Sequence, residues 1–506
     1  MQLAELVRKL GGSAPLLAGG GPSIAGVHLD SRQVGAGDLF AALPGTRDDG
    51  SRFAADALAR GAAAILAPRA LDLAELRALM PEVADAPQWI HRDARRVAGE
   101  AAALVYGQPA RGMFVAAVTG TNGKTTTAHL LGHLLRFAGR RPAILGTAGN
   151  RLADGELRRA THTTPDAPAL QRLFAAHRGL GGDSVVLEAS SHALDQDRTA
   201  GLAPDVAIFT NLTREHLDYH GDLETYLAAK ERLFLSLDSR AAAVVHADDP
   251  AGIRMARAAR SRGARVTTYS ARLRGDLVAS ALTSDLSGTQ IVLHGMGISR
   301  ASLRLPLAGR HNVENALAAA AAALLSGASP STVVEGLASA SPAPGRLEPV
   351  ACGKGFRVLV DYAHSEDALQ NVCRAVKNAL EGSPGRSGRR GRLIVVFGCG
   401  GDRDRGKRGG MGRVVNELAD LAIVTSDNPR GEDPLAIIEE VLAGMEPGLA
   451  ERVVEPDRRS AISQAVTRAR RGDVVLIAGK GHETTQVIGD RVVEFDDRAV
   501  AAELLR

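Results

Sequence analysis

Cysteine is scarce. Cys352, Cys373 and Cys399 are the only three in 506 residues. Three thiols cannot staple a chain this long, so burial of apolar surface has to hold it, and a reducing compartment, the cytoplasm, is expected. Aromatic residues make up 3% of the chain, with one tryptophan, which leaves little for base-stacking platforms. Charge of one sign is lacking too. Lys plus Arg is 61 and Asp plus Glu is 57, so the net charge is +4, a weak argument for a nucleic-acid partner. The longest uninterrupted apolar run, Ala316 to Leu325, falls far short of the about 20 residues a membrane span needs. The opening MQLAELVRKLGG has no long apolar stretch of a signal peptide. No period of 20–50 residues repeats, which excludes a solenoid.

What is present suits a globular protein: 45% hydrophobic and 23% charged residues. At about 150 residues per domain the length allows roughly three. Two Pro/Gly breaks, YGQPARG (106–112) and SASPAPGR (339–346), divide the text. The expected domains are 1–109, 110–342 and 343–506. After the first break short apolar runs (MFVAAV, PAILGT, SVVLEASS, VAIFTNL, AAAVVHADD) alternate with helical text, the pattern of a mostly parallel sheet covered by helices. After the second, RVLVDYAH, RLIVVFGCGGDRD, LAIVTSDNPR and DVVLIAGKGHE each run from an apolar strand into a polar cluster. Ligands of open α/β sheets bind at the carboxyl ends of strands, so these clusters are candidate walls of one site. The fold class is α/β, with an N-terminal α/β domain, a central phosphate-loop domain and a C-terminal Rossmann-like domain. The Gly/Ser/Arg-rich stretch 381–392 reads as a surface loop.

The strongest local motif is Gly120, Thr121, Asn122, Gly123, Lys124, Thr125 and Thr126, between a buried strand and a helix. Glycines let backbone N–H groups face phosphate oxygens, and the helix adds its positive N-terminus. Lys124 suits the β/γ-phosphates and the Thr125 hydroxyl suits Mg²⁺. The usual leading glycine is absent: Val118 stands there. Glu188, at a strand end, is a magnesium candidate, or else a helix-capping or surface carboxylate. His216, in NLTREHLDYHGD, reads as a hydrogen-bonded structural histidine. Lys230, in the amphipathic LETYLAAKERLFLSL, reads as a surface lysine.

In order along the chain stand LDSRQV, TGTNGKTT, THTTP, EASSHALDQDR, NLTREHLDYH, YLAAKERLF, GRHNVENALAA, PGRLE, VDYAHSEDAL, GDRDRGKR, DNPR and GKGHE. This series resembles the Mur ligases, the ATP-dependent amino-acid-adding enzymes of peptidoglycan synthesis, over essentially the whole chain. The order and the last two motifs are most similar to members that add meso-diaminopimelate to UDP-N-acetylmuramoyl-L-alanyl-D-glutamate. The resemblance implies ATP and Mg²⁺ as cofactors, those two substrates as partners, no nucleic acid or membrane, and a monomer. It implies that Leu29 and Ser31 touch the UDP-sugar, and that Thr163, Thr164, Ser190, Gln196 and Arg198 hold the muramoyl-dipeptide. It gives Thr125, Glu188 and His216 to magnesium, makes Lys230 a carbamylated lysine facing the metal, and places Asn312, Arg346 and Asp361 against ATP. Arg403, Asp427, Asn428, Pro429, Arg430, Gly479 and Glu483 become the diaminopimelate pocket. Lys124, Lys230, His216 and Glu188 are the implied catalytic set. Three places depart from the family text: Glu215 replaces Asp, Ser365 and Glu366 follow His364, and Gly409 to Met411 replace a Pro-containing turn.

DNPR bears on the substrate. Without the resemblance it is a plain turn. With it, the extra carboxylate that separates diaminopimelate from lysine calls for a planar bidentate donor, and Arg430 is one. The alternatives are a lysine-adding or other ligase of the superfamily and, in another class, a phosphate-loop regulator without catalysis.

Overall fold

The computed structural model describes residues 1–15, 19–45, 48–72, 86–272, 274–381 and 390–506. Most of the Arg-rich stretch, 382–389, lies outside the described residues. Three main sheets succeed one another along the chain.

The first is a parallel sheet in the order Val27–His28, Leu39–Ala41, Ala64–Ala67, Gln88–Ile90. Alternation along Leu39–Ala41 sends Leu39 and Ala41 into the core beneath the helices Leu3–Leu10 and Ala94–Val105, and Phe40 into the core on the other face. Trp89 is fully buried and donates its indole N–H to the Gly11 carbonyl at 2.8 Å. A 3₁₀ turn at Gly50–Phe53 leads into the short helix Ala54–Ala59.

The second sheet has eleven strands. Seven parallel strands form its middle, in the order Leu277–Asp285, Arg265–Ser270, Ala242–His246, Val206–Phe209, Phe114–Thr119, Ser184–Glu188, Pro142–Gly146. Antiparallel strands extend both edges: Gly288–Gly295 and Ile298–Leu305 on one side, Gly149–Arg151 and Leu157–Arg158 on the other. The strands expected after the first break all lie in the parallel part. The apolar run Ala316–Leu325 belongs to the helix Arg310–Leu325, whose alanines 318 to 323 are buried against the helix Lys124–Phe137. No helix among the described residues is long and apolar enough to cross a membrane.

The third sheet runs Glu348–Val350, Arg357–Asp361, Val474–Ala478, Leu393–Phe397, Leu421–Val424, Glu451–Val454, parallel except for the first. Its four inner strands are the four expected from sequence. They are neighbours, so the polar clusters that follow them meet at one sheet edge. A buried ion pair, Arg458 with Asp497 at 2.7 Å, braces that edge, and Arg458 also donates to the carbonyls of Ser426 and Ala478.

Candidate functional site

The phosphate loop leaves the strand Phe114–Thr119 between the carboxyl ends of its two sheet neighbours. Gly123, at φ +85°, caps the helix Lys124–Phe137, and a Cβ there would lie 2.2 Å from Asn315 Oδ1. Only glycine fits this turn. Lys124 folds over its own loop and donates to the carbonyls of Gly120 (2.9 Å) and Thr121 (2.7 Å). Burial pulls its pKa below the ordinary lysine value, against the charges of Glu215 and Glu188.

Glu188 ends its strand beside the loop. Its carboxylate accepts from Thr125 Oγ1 (2.9 Å), the Thr147 N–H (3.0 Å) and Thr147 Oγ1 (3.2 Å). It is buried, which disposes of a surface role, and it caps no helix. Lys230 is the clearest departure from the pattern reading. It is 1% exposed, not a surface lysine. It donates to the Gly120 carbonyl at 2.8 Å, and its Nζ lies 4.1 Å from the Tyr226 ring centre. Burial, with the Lys124 charge, pushes its pKa well below 10.5. An amphipathic period cannot separate a face turned to solvent from one turned to another domain element. His216 sits at φ +57° and makes no side-chain hydrogen bond among the described residues, contrary to expectation. Its ring is wedged against His192 (4.7 Å) and Tyr226 (6.2 Å), and burial brings its pKa down to about 3. The neutral ring has lone-pair capacity for a cation.

Arg346, from beyond the second break, donates to Thr125 Oγ1 at 3.2 Å. A cavity of about 750 Å³ opens between the second and third sheets, lined by Asn122, Gly123, Thr126, Asn312, Arg346 and Asp361 among others. The Asp361 carboxylate accepts from the N–H groups of Leu347 and Ala363, both at 2.7 Å, and so fixes the turn that presents Arg346. Burial raises its pKa. Asn315, Thr147 and Asp367 were not singled out in the sequence. Asn315 lies three residues after Asn312 on one helix face, a signal that could have found it. Asp367 accepts from Asn122 Nδ2 at 2.8 Å, a contact between domains that local text does not encode.

A smaller pocket of about 120 Å³ joins Leu29 to Gln196 and Arg198, with Arg95, His162 and Asp166. Arg198 donates to Gln196 Oε1 (2.8 Å) and the Thr164 carbonyl (3.1 Å). Thr163 meets Thr147 at 3.0 Å, and Thr164 donates to the Glu188 carbonyl at 2.7 Å and accepts from the Ser190 N–H at 3.1 Å. The same segments therefore line both the carboxylate and this pocket. Ser31 is not among the residues that line it; it is buried at the start of the 3₁₀ turn Ser31–Gln33, two residues after Leu29.

At the third sheet edge Asn428 Nδ2 donates to Asp427 Oδ1 (3.1 Å) and Glu483 Oε2 (3.0 Å), and Lys480 Nζ lies 3.1 Å from the same glutamate. Burial opposes the charge on Glu483, but Lys480 and Asn428 outweigh it and hold its carboxyl below the ordinary value. Gly479 is at φ +117°, and a Cβ there would come 2.8 Å from Asp427 Oδ2. Arg430 follows Pro429 at φ +51° and spends Nη1 on the carbonyls of Gly401 (2.7 Å) and Asn428 (3.4 Å). Burial and the nearby Arg403 charge lower its pKa. Arg403 is exposed and donates to the Asp402 carbonyl at 3.0 Å. The two sites are linked: Arg346 stacks on Tyr362 at 4.6 Å, and Tyr362 lies 5.0 Å from the ring of His482, next to Glu483.

A phosphate loop facing a carboxylate, backed by a third α/β sheet that reaches over the same cleft, defines an ATP-dependent ligase. The chain belongs to the Mur ligase family. The family models for the Mur ligase family catalytic domain, the Mur ligase middle domain and the Mur ligase glutamate ligase domain match residues 23–106, 118–323 and 345–481. It is 41% identical to the UDP-N-acetylmuramoyl-L-alanyl-D-glutamate–2,6-diaminopimelate ligase of Syntrophomonas wolfei, over all of this chain and 99% of that one. It is 42% identical to the enzyme of the same name from Geobacillus kaustophilus, over 96% and 95% of the two chains. A solved structure of that name superposes with a TM-score of 0.66 at 34% identity, covering 95% of this chain and 94% of the other. MurF from Acinetobacter baumannii (TM-score 0.65, 21% identity, 94% and 95% covered) shares the fold.

Proposed function

We propose that this chain joins meso-diaminopimelate to UDP-N-acetylmuramoyl-L-alanyl-D-glutamate at the expense of ATP, in the cytoplasm and as a monomer, with units 1–109, 110–342 and 343–506 serving sugar nucleotide, ATP and amino acid. The observation that carries the amino-acid choice is the Arg430 turn. One edge of its guanidinium is held by two carbonyls, and its Nε and Nη2 have no protein acceptor among the described residues. A fork with a free edge suits a carboxylate. Glu483, kept charged beside it, suits the ammonium of the same amino-acid end.

The donor set around Glu188 fits a hard cation: a carboxylate, a hydroxyl (Thr125) and a neutral imidazole (His216). Thr125, Glu188, His216 and a carbamylated Lys230 would hold Mg²⁺, which when bound offsets the repulsion between triphosphate and carboxylates. Burial lowers the Lys230 pKa and so favours the neutral amine, the form that adds CO₂. Gly120 to Thr126 cradle the phosphates, with Lys124 released from its loop carbonyls onto the β/γ-phosphates. Asn312 from the central unit and Arg346 and Asp361 from the third close on the nucleotide. Leu29 and Ser31 hold the UDP-sugar, and Thr163, Thr164, Ser190, Gln196 and Arg198 present the dipeptide carboxylate beside Glu188. The carboxylate takes the γ-phosphoryl group, giving an acyl phosphate. The amine, aimed by Arg430, Asp427, Asn428 and Glu483, then displaces phosphate through a tetrahedral intermediate. Most of the acceleration comes from positioning and fixed charge.

The test is a paired incubation with ATP, Mg²⁺ and UDP-N-acetylmuramoyl-L-Ala-D-Glu, one arm given meso-diaminopimelate and one L-lysine, with products weighed by mass spectrometry. A tripeptide only with diaminopimelate is expected. Product only with lysine sinks the substrate assignment, and no product in either arm sinks the reaction.

A further inference from the structure

One partly buried cluster, beside the nucleotide cavity that Glu314 helps to line, has no role in the reaction as proposed. His246 ends the strand Ala242–His246, Asp248 follows two residues later, and Glu314 stands one turn into the helix Arg310–Leu325. Each offers one ligand atom, and the three atoms lie within 4.8 Å of one another.

The histidine makes this more than a meeting of carboxylates. It is 7% exposed. Its Nδ1 lies 2.9 Å from the Thr210 carbonyl oxygen, which only accepts, so the ring proton is assigned to Nδ1. In the neutral ring Nε2 then carries a lone pair. It has no hydrogen-bond partner and faces Asp248 Oδ2 at 3.5 Å. A buried lone pair set against a carboxylate oxygen is unfavourable for both, and a cation between them removes the conflict. The surroundings fit a ligand set. A ring N–H donated to a backbone carbonyl fixes the orientation of a metal-bound histidine. Asp248 is oriented in turn by Ser270 Oγ (2.8 Å) and the Ala271 N–H (3.1 Å).

We propose that His246, Asp248 and Glu314 bind a divalent transition-metal cation, with Zn²⁺ as the model ion, separate from the magnesium bound at the phosphate loop. A nitrogen with two carboxylate oxygens suits Zn²⁺ better than Mg²⁺, which prefers oxygen and water. Bonds of about 2.0–2.2 Å put tetrahedral ligand atoms roughly 3.3–3.6 Å apart. The His246–Asp248 pair already has that spacing, and the Glu314 oxygen, within 4.8 Å of both, has to move closer to complete it. The ion's role is architectural. It ties the helix that carries Asn312 and Asn315 to the strand ends, and it bears on Thr210, whose hydroxyl donates to the Asn122 carbonyl of the phosphate loop at 2.6 Å.

The full-length protein, stripped with a chelator and desalted, is titrated with Co²⁺ by visible absorption and with Zn²⁺ by elemental analysis after gel filtration, without nucleotide. His246→Ala and Glu314→Gln are compared with Glu188→Gln, which alters only the phosphate-loop site. Wild type and Glu188→Gln should each retain one equivalent of Zn²⁺. Both cluster variants should bind at least tenfold more weakly, Glu314→Gln guarding against a fold lost in His246→Ala. Equal retention by wild type and the cluster variants, or none by folded wild type, overturns the site; the latter is what a simple imidazolium–Asp248 pair would give.

Discussion

Arg346 reaches across the cleft to the hydroxyl of Thr125, which in turn donates to Glu188: a guanidinium of the third domain and a carboxylate of the second share one phosphate-loop side chain. In the proposed reaction both contacts are exchanged for nucleotide and ion. Arg346→Ala should therefore raise the KM for ATP and lower kcat together, by about 10²–10³-fold in kcat/KM, the range for loss of one fixed transition-state donor. Thr125→Ser should keep activity within about tenfold, and Thr125→Val should behave like Arg346→Ala. Steady-state kinetics with varied ATP decides. A Thr125→Val enzyme with unchanged kcat/KM would remove the hydroxyl from the mechanism.

Lys230 gives a prediction whose sign depends on pH. Its pKa in the fold lies below the ordinary 10.5. Between the two values the unfolded chain binds the extra proton, so the buried amine costs stability at neutral pH, and the cost shrinks as pH rises toward 10.5. In CO₂-free buffer Lys230→Met should melt higher than wild type at pH 7, with the gap narrowing by pH 9.5, while activity falls by at least about 100-fold. With ¹³C-bicarbonate, wild type should show a carbamate carbon by NMR that Lys230→Met lacks. A melting gap that widens with pH would contradict the burial argument.

Glu215, one methylene longer than the expected Asp, lies 3.1 Å from His364 Nε2 of the third domain. Burial opposes its charge, but the His364 hydrogen bond and charge dominate and hold its carboxyl well below the ordinary 4.5. A depressed carboxylate contributes stability above its unfolded pKa and loses it only as pH falls through the folded value. Glu215→Gln should cost about 1–3 kcal/mol, less than a fully buried pair because His364 is partly exposed. In urea titrations that cost should not fall between pH 7 and 4.5, and should shrink below. A cost that disappears by pH 5 would mean the pair contributes nothing.

The strands of the second and third sheets were legible because each is a short apolar run closed by polar text, and adjacency of four such runs at one sheet edge follows from parallel pairing. The phosphate loop was legible because its residues are contiguous. The antiparallel edges, such as Gly288–Gly295 with Ile298–Leu305, were missed: their alternating text is half-exposed and no different from loops. The burial of Lys230 was missed because a helical period gives a face and not what covers it. Contacts between domains, such as Asn122 with Asp367 or Arg346 with Thr125, depend on residues over two hundred positions apart and leave no local signature.

Arg430 sits just after Pro429 in the left-handed region, a conformation that costs a non-glycine residue energy and is sustained here by the N–H bond to Val487 (3.0 Å) and the two carbonyls that grip Nη1. Structure invested in orienting one guanidinium implies a geometric demand on its free edge. A lysine in its place supplies charge without the fork. Arg430→Lys should thus lower kcat/KM for diaminopimelate by roughly 30-fold or more, and Arg430→Met by up to several thousandfold, the equivalent of about 2–5 kcal/mol for leaving one member of a buried charge pair unmatched. The KM for ATP should stay within about threefold, since the nucleotide cavity has other walls. L-lysine, which lacks the far carboxylate, should gain relative to diaminopimelate in Arg430→Met. If both variants lose activity equally with both amino acids, Arg430 braces the turn and does not read the substrate; the ratio of the two kcat/KM values, which a folding defect cannot move, separates the cases.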